Sequence, residues 1–232
     1  MRASWFSQQG GERARNSDAA AVGQQDHYIL AVLVDGAEKG SRGAELARHW
    51  ADVVLQALIE VPVGSPESLL ARLKQEQAQL RHAFLHDIAS YCMVSLDVAT
   101  LTAQVWHCGD CRVGVRHVSE TRWLTTPHIL ALQPGLPLPR SSEDRGRHEQ
   151  QLTRYLNARR FRAPDYQSLT LQQGEMLLLS TDGYWQEYME AGTSPHCLRD
   201  DASLLVLPVG FENLYQIDQE SDADNLYHLR HA

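Results

Sequence analysis

Five aspartates lie at the ends of predicted strands, and their placement is the main chemical signal of this sequence. Asp35 and Asp182 each close an apolar strand and are each followed by glycine. Asp110 lies in a short link between two strands, Asp200 directly precedes the last apolar strand, and Asp18 lies in the polar loop before the Asp35 strand. A carboxylate at a strand end is held rigidly, and a following glycine lets the backbone turn and frees its carbonyl as a ligand.

Such aspartates, if they converge, form a site made only of oxygen ligands. That donor set suits Mg²⁺ or Mn²⁺, whereas zinc prefers histidine and cysteine. Two ions about 3.5–4 Å apart activate a water for in-line attack on phosphorus. Each Asp-Gly pair alone is more simply a turn, so the hypothesis depends on the order and context of the whole set.

Composition excludes several classes of protein. The 232 residues are 43% hydrophobic and 22% charged, which predicts a folded chain of one large or two small domains. A net charge of −8 argues against binding to nucleic acid or to anionic membranes. The longest apolar run is Ile29–Val34, far short of the roughly 20 residues of a membrane span, and the N-terminus has no secretory signal pattern. Four cysteines are few for a disulfide scaffold, so we expect a reduced, cytoplasmic protein.

The pattern of elements predicts an α+β fold with largely antiparallel sheets. Tyr28–Asp35 reads as a strand buried on both faces, and two consecutive helices follow over residues 44–61 and 67–84. Further strands are predicted at 3–9, 89–97, 102–107, 112–118, 176–180 and 203–209, a surface loop at 131–148, a short helix at 150–158, mixed helix and loop at 184–199, and a tail or edge extension at 210–232.

Seven motifs, in order, resemble the metal-dependent protein phosphatases of type 2C, particularly the small stand-alone bacterial members. The chain has G-E-R-A-R-N-S-D at 11–18 where the family has G-x-R-x-x-N-E-D, and L-L-L-S-T-D-G-Y-W at 177–185 where it has L-L-L-x-S-D-G-L-W. The other matches are V-D-G at 34–36, C-G-D-C-R at 108–112, L-T-T-P-H at 124–128, L-T-R-Y-L at 152–156 and D-D-A-S at 200–203.

The resemblance implies a β-sandwich of two mostly antiparallel sheets flanked by antiparallel helix pairs, with a phosphatase domain at 1–209 and an extension at 210–232. By position, Asp35 would bridge two Mn²⁺ or Mg²⁺ ions. Asp182 and Asp200 would complete the first site, and the Gly36 carbonyl would serve the second. Asp18 would hold metal-bound water, Asp110 would help Asp182 bind a third, weaker ion, and Arg13 would clamp the substrate phosphate.

The implied function is a metal-dependent serine/threonine phosphoprotein phosphatase. A water or hydroxide bridging the two ions would attack phosphoserine or phosphothreonine, with no phosphoenzyme intermediate. The implied partners are a phosphorylated protein substrate and, by analogy, a cognate Ser/Thr kinase.

Three departures from the family pattern keep alternatives open. Ser17 replaces a glutamate that binds the second metal in many members, Pro127 replaces an aspartate, and residues 37–42 lack the family's Gly-Gly-His stretch. Without that histidine, metal-bound water would have to protonate the leaving group. These departures motivate a pseudophosphatase that binds phosphoproteins without turnover. A third interpretation is an unrelated α+β domain with chance Asp-Gly turns.

Other chemically suggestive residues favour simpler interpretations. Cys108 and Cys111 form one C-x-x-C pair, which is weak evidence for a redox or zinc site. His107 lies in a strand pattern and is expected to pack rather than to bind metal. The five tryptophans are expected to pack in the core or against a sheet.

Overall fold

The computed structural model describes residues 2–37, 41–62, 65–136, 141–210 and 216–230. It contains two β-sheets packed face to face, with helices on the outside. Sheet I has the strand order β12-β1-β11-β10-β6-β7. Its strands are β1 (Ala3–Gln8), β6 (Arg112–His117), β7 (Glu120–Trp123), β10 (Met176–Ser180), β11 (Ala202–Pro208) and β12 (Ile217–Ser221).

Sheet II has the order β13-β2-β3-β4-β5-β9, and a two-residue strand β8 pairs with β4. Its strands are β2 (Asp18–Gln25), β3 (Tyr28–Gly36), β4 (Ile88–Asp97), β5 (Thr102–Cys108), β8 (Leu156–Asn157), β9 (Asp165–Thr170) and β13 (Leu226–Arg230). Apart from the parallel pairs β1–β12 and β2–β13, the strand pairs are antiparallel. The predicted fold class, an α+β sandwich of mostly antiparallel sheets, is confirmed.

Residues Ile29–Val34 of strand β3 are all apolar because the strand is covered on both faces. Ile29, Ala31 and Leu33 pack between the two sheets, together with the inward residues of sheet I. The alternate residues Leu30, Val32 and Val34 pack against the helices on the other side of sheet II. The side chains that alternate along β3 therefore pack into two separate hydrophobic cores.

Two helices, α1 (Gly43–Glu60) and α2 (Pro66–Gln79), cover the outer face of sheet II. Helix α1 buries Leu46, Trp50, Val54 and Leu58, the four-residue spacing of one helix face. Trp50 packs edge-on against Tyr91 of β4, with ring centroids 5.6 Å apart. Among the described helices, none has the length and apolar content that crossing a bilayer requires.

The segment between β7 and β10 differs from the sequence prediction. Helix α3 spans Ser142–Gln150, within and just beyond the predicted loop, whereas the predicted helix at 150–158 contains the short strand β8. Helix α3 is entirely polar, so it has no hydrophobic periodicity to detect. It is stabilised locally, because Ser141 caps it by accepting from Asp144 N–H at 3.1 Å and Arg147 pairs with Glu143 one turn earlier.

Candidate active site

Asp18 and Asp35 lie opposite each other at one end of sheet II. They are register partners in the antiparallel pair β2–β3, so both side chains emerge on the same face. Asp18 was expected in a loop, but it is the first residue of β2. Its Oδ2 accepts a hydrogen bond from the Thr181 hydroxyl at 3.1 Å, which ties it to the end of β10 in sheet I.

Asp182 and Asp200 reach the same place from sheet I. Asp182 follows β10 and caps a π-helix at Gly183–Glu190, with its Oδ1 accepting from Gly183 N–H at 2.8 Å. Asp200 lies two residues before β11, the antiparallel neighbour of β10. The ends of two strands in each sheet therefore bring four of the predicted aspartates together.

Asp110 joins the group through a tight link between β5 and β6. Gly109 has φ +108°, and a Cβ there would lie 2.1 Å from the Ser90 hydroxyl oxygen, so only glycine fits. The same hydroxyl accepts from Asp110 N–H at 3.2 Å. Trp185 Nε1–H donates to the Asp110 carbonyl at 3.0 Å and fixes the link from the other side.

The predicted ligands form an electrostatically strained group. Burial raises the pKa of Asp18, Asp35, Asp110 and Asp182 above the usual aspartate range, and nearby carboxylates raise each of these values further. Asp18 Oδ1 and Asp110 Oδ1 are buried without a hydrogen-bond partner. Buried polar atoms are normally satisfied, so bound cations would give these two oxygens the partners that they lack.

A hard divalent cation fits this group. The donors are carboxylate oxygens from five aspartates, and the Gly36 carbonyl follows Asp35 directly. Oxygen ligands suit Mg²⁺ and Mn²⁺. The ion would neutralise the mutual repulsion and satisfy the two orphaned oxygens.

Arg13 forms an ion pair with Asp200 through two hydrogen bonds, Nε to Oδ1 at 2.6 Å and Nη2 to Oδ2. This two-pronged contact is the geometry in which guanidinium also grips phosphate. Arg13 is therefore placed at the edge of the aspartate group by one of its members.

Asp201 is a further residue of the site, and it was not among the residues predicted from the sequence. Its carboxylate accepts from Gly10 N–H at 2.9 Å and from Ser17 N–H at 2.7 Å, the two ends of the loop that carries Arg13. Burial raises its pKa to about 6, and the Asp200 charge adds to that effect. The sequence signal for Asp201 is the pair of adjacent aspartates at 200–201, of which only Asp200 was predicted as a site residue.

The three departures from the family pattern have different positions. Ser17 is buried beside Asp201, and Pro127 is buried in the link before His128. Of the altered stretch at 37–42, residues 38–40 lie outside the described part of the chain.

A second polar cluster, formed by His107, His128 and Asp165, lines a cleft of about 390 Å³. The two imidazoles stack with centroids 4.6 Å apart. His128 Nδ1 accepts from Gly109 N–H at 3.0 Å, and its Nε2 lies 3.0 Å from Asp165 Oδ2 and 3.2 Å from Arg154 Nη1. The ligand atoms of His107, His128 and Asp165 lie within 4.8 Å of one another, close enough to share a metal ion. The expectation that His107 packs is supported by its burial, which lowers its pKa to about 4.

The cysteines do not form the pair that their spacing allows. Cys92, Cys108, Cys111 and Cys197 are all free thiols. Burial raises the pKa of Cys108 to about 12, which makes it a poor nucleophile. Trp5, Trp50, Trp106 and Trp185 are buried as expected, and Trp123 is half-buried on strand β7, where it faces Gly114 of β6.

Comparison with known proteins gives a consistent result. The family model described as protein phosphatase 2C matches residues 11–200. The fold resembles a serine/threonine phosphatase from S. agalactiae (16% identity, TM-score 0.73, 90% of this chain and 99% of that one). It also resembles phosphatase Stp1 from Staphylococcus aureus (17%, 0.72, 89% and 94%) and the PPM Ser-Thr phosphatase MsPP from Mycobacterium smegmatis (23%, 0.65, 90% and 99%).

At these identities the structural likeness shows the fold, whereas the match over residues 11–200 shows the family. No curated protein matches the sequence.

Proposed function

We propose a mechanism from one established premise: this chain belongs to the protein phosphatase 2C family. It is accordingly a protein serine/threonine phosphatase, and its substrates are phosphoproteins. The proposal is that two Mn²⁺ or Mg²⁺ ions bind to the aspartate group and that hydrolysis depends on them. The observation that carries it is the pair of buried, unpartnered carboxylate oxygens on Asp18 and Asp110.

In this proposal the strand ends supply the ligands. Asp35 would be shared by the two ions, Asp182 and Asp200 would complete the first site, and the Gly36 carbonyl would serve the second. Asp18 would hold water at the site, and Asp110 would contribute with Asp182 to a third, weaker site. When bound, such ions lower the pKa of water and polarise the phosphoryl oxygens.

Arg13 orients the substrate phosphate in this scheme. Its guanidinium is held by two hydrogen bonds to Asp200, a residue that would bind the first ion. A cation that shared the Asp200 charge would weaken these bonds, and the guanidinium would then donate to phosphate oxygens.

The proton for the leaving serine or threonine oxygen comes from water at the site. The sequence has no histidine between Asp35 and Arg48, so no side chain of that loop can act as the imidazole general acid proposed for some relatives. In the metal-loaded enzyme the aspartates with raised pKa values would be metal ligands, and they would also help to hold this water.

The inactive alternative, a phosphoprotein-binding module, has no support in the comparisons. A cognate kinase and a cytoplasmic location remain predictions by analogy and from cysteine usage.

Ser17 removes one ligand of the second ion, and Asp201, 2.7 Å from its backbone nitrogen, supplies a negative charge beside the same position.

The test is phosphate release from a phosphothreonine peptide with Mn²⁺, with Mg²⁺ and with chelator, for wild type and Asp35→Asn. Turnover that requires metal and is lost in the variant supports the proposal. Metal-independent turnover, or none in a folded, metal-supplied wild type, contradicts it, and the second result would favour the binding module.

A further inference from the structure

The last described segment, residues 216–230, spans both sheets at their edges. Strand β12 pairs parallel with β1 in sheet I, and β13 pairs parallel with β2 in sheet II. We call this segment the C-terminal strap. It lies beyond residue 200, where the family match ends.

Asp222, in the turn between β12 and β13, holds the two ends of the loop that carries Arg13. Its Oδ2 accepts from Gln9 N–H at 2.6 Å, and its Oδ1 accepts from Asn16 Nδ2 at 3.3 Å. The Asp222 N–H donates in turn to the Ser7 carbonyl at 3.2 Å. One exposed carboxylate therefore closes the loop from outside.

Asn225 anchors the strap directly behind Asp18. It is 1% exposed, and its Nδ2 donates to the Asp18 carbonyl at 3.0 Å and to the Ser7 hydroxyl at 2.8 Å. Its Oδ1 accepts from Trp5 Nε1 at 3.1 Å. The side chain thus joins β1, the start of β2 and the strap with all its hydrogen-bonding groups used.

Asn16 connects the strap to Asp18 through hydrogen bonds. Its Nδ2 is shared between Asp222 Oδ1 and the Ser7 hydroxyl, and its Oδ1 accepts from Asp18 N–H at 3.0 Å. On the inner side of the same loop, Asp201 binds Gly10 and Ser17. The loop is held from two opposite sides, by Asp201 within the site and by Asp222 from the strap.

We propose that the strap is a positioning element of the active site and that Asp222 is a positioning residue for Arg13 and Asp18. The inference rests on the proposed function. The segment outside the family match then sets metal affinity and phosphate binding without contacting either ligand. Asp222 is exposed and lies in a turn, so its replacement does not open the hydrophobic core.

The experiment compares full-length Asp222→Ala with Asp224→Ala, an exposed neighbour whose loss changes the net charge equally, and with Asp222→Asn, which keeps one acceptor. Three quantities are measured: Mn²⁺ affinity by calorimetry, hydrogen exchange of the amides of residues 9–18, and kcat and KM for a phosphothreonine peptide.

We expect Asp222→Ala to weaken Mn²⁺ binding about 3- to 30-fold, to raise KM, and to speed exchange of Gln9 and its neighbours, as loss of a charged hydrogen bond predicts. The Mn²⁺ affinity, KM and exchange rates of Asp222→Asn should lie between those of Asp222→Ala and wild type. Asp224→Ala should match wild type in all three. Equal Mn²⁺ affinity and exchange in Asp222→Ala and Asp224→Ala would overturn the inference. If wild type neither bound Mn²⁺ nor hydrolysed the peptide, the proposed function would fail, and the exchange rates alone would still decide whether the strap holds the loop.

Discussion

Asp18 faces Asp35 directly across the β2–β3 ladder, with Asp18 buried and Asp35 half-buried at the same end of the sandwich. Like charges in opposing positions of a sheet destabilise it. A cation bound between the carboxylates, as proposed above, would turn this repulsion into binding. The relationship leads to predictions about stability as well as activity.

The first prediction concerns the pH dependence of metal-free stability. The pKa of Asp35 in the folded chain is raised well above its unfolded value of about 3.8. Between these two pKa values the folded chain binds more protons than the unfolded chain, so the free energy of unfolding falls as the pH rises through the folded pKa. In chelator at pH 7.5, Asp35→Asn should exceed wild type in unfolding free energy by about 1–3 kcal/mol. The gain should shrink at pH 5.

Urea denaturation at the two pH values measures this difference. His107, whose lowered pKa has the opposite pH effect, is common to both proteins and cancels. Saturating Mn²⁺ should stabilise the wild type and leave Asp35→Asn nearly unchanged. A wild type that is the more stable protein in chelator at neutral pH would show that the group is not strained by its charges.

The second prediction separates two arginines of one loop. Arg13 contacts Asp200, whereas Arg15 pairs with Glu45 on the surface at 2.7 Å. Arg13→Ala should lower kcat/KM for a phosphopeptide by about 10- to 100-fold, the loss of a charged hydrogen bond to phosphate. Arg15→Ala, an exposed pair of small energy, should change it less than about threefold. Similar losses in steady-state kinetics of both variants would remove Arg13 from its assigned role.

The third prediction uses two adjacent glycines. A Cβ on Gly10 would lie 2.3 Å from the Arg199 carbonyl oxygen and from the Asp200 carbonyl carbon, whereas one on Gly11 would meet its nearest atom at 3.4 Å. Gly10→Ala must therefore displace the backbone of a predicted ligand. We expect weaker Mn²⁺ binding and a lower melting temperature for Gly10→Ala, and near wild-type values for Gly11→Ala, by calorimetry and thermal denaturation. The reverse order would contradict the placement of Asp200.

The fourth prediction tests His128 as an acceptor. Its Nδ1 receives the Gly109 N–H, next to Asp110. His128→Leu leaves that N–H without an acceptor and should cost about 1–3 kcal/mol of unfolding free energy. Asn at this position can present an oxygen near the Nδ1 position, so His128→Asn should cost less. Chemical denaturation of both variants checks the order, and equal costs would argue against the hydrogen bond.

The sequence predicted the parts of this protein that have a strong local pattern. The strands leading to Asp35 and Asp182 are continuous apolar runs, and the helix over 44–61 has clear periodicity, so each was placed within a few residues. Strand β9 was missed because its residues are mostly exposed and polar. Helix α3 was missed because it buries no face.

Local sequence patterns could not predict contacts between residues that are distant in sequence. The bonds from Asp201 to Gly10 and Ser17 join residues more than 180 positions apart. The role of Asn225 depends on a parallel edge strand. Residues 210–232 were predicted to be a tail or an edge extension, but they have no period from which this pairing follows. Family motifs pointed to the aspartates individually, but the burial and the unpartnered oxygens of Asp18 and Asp110 are properties of the folded chain.

The most direct test of the account is a Mn²⁺ titration in which bound metal and the rate of phosphothreonine peptide hydrolysis are measured on the same metal-free protein. We predict that the rate is negligible in chelator and rises in step with occupancy, and that Asp182→Asn loses both together. Full hydrolysis by metal-free protein, or occupancy by Mn²⁺ without any rise in rate, would contradict the assignment of the aspartate group as the catalytic metal site.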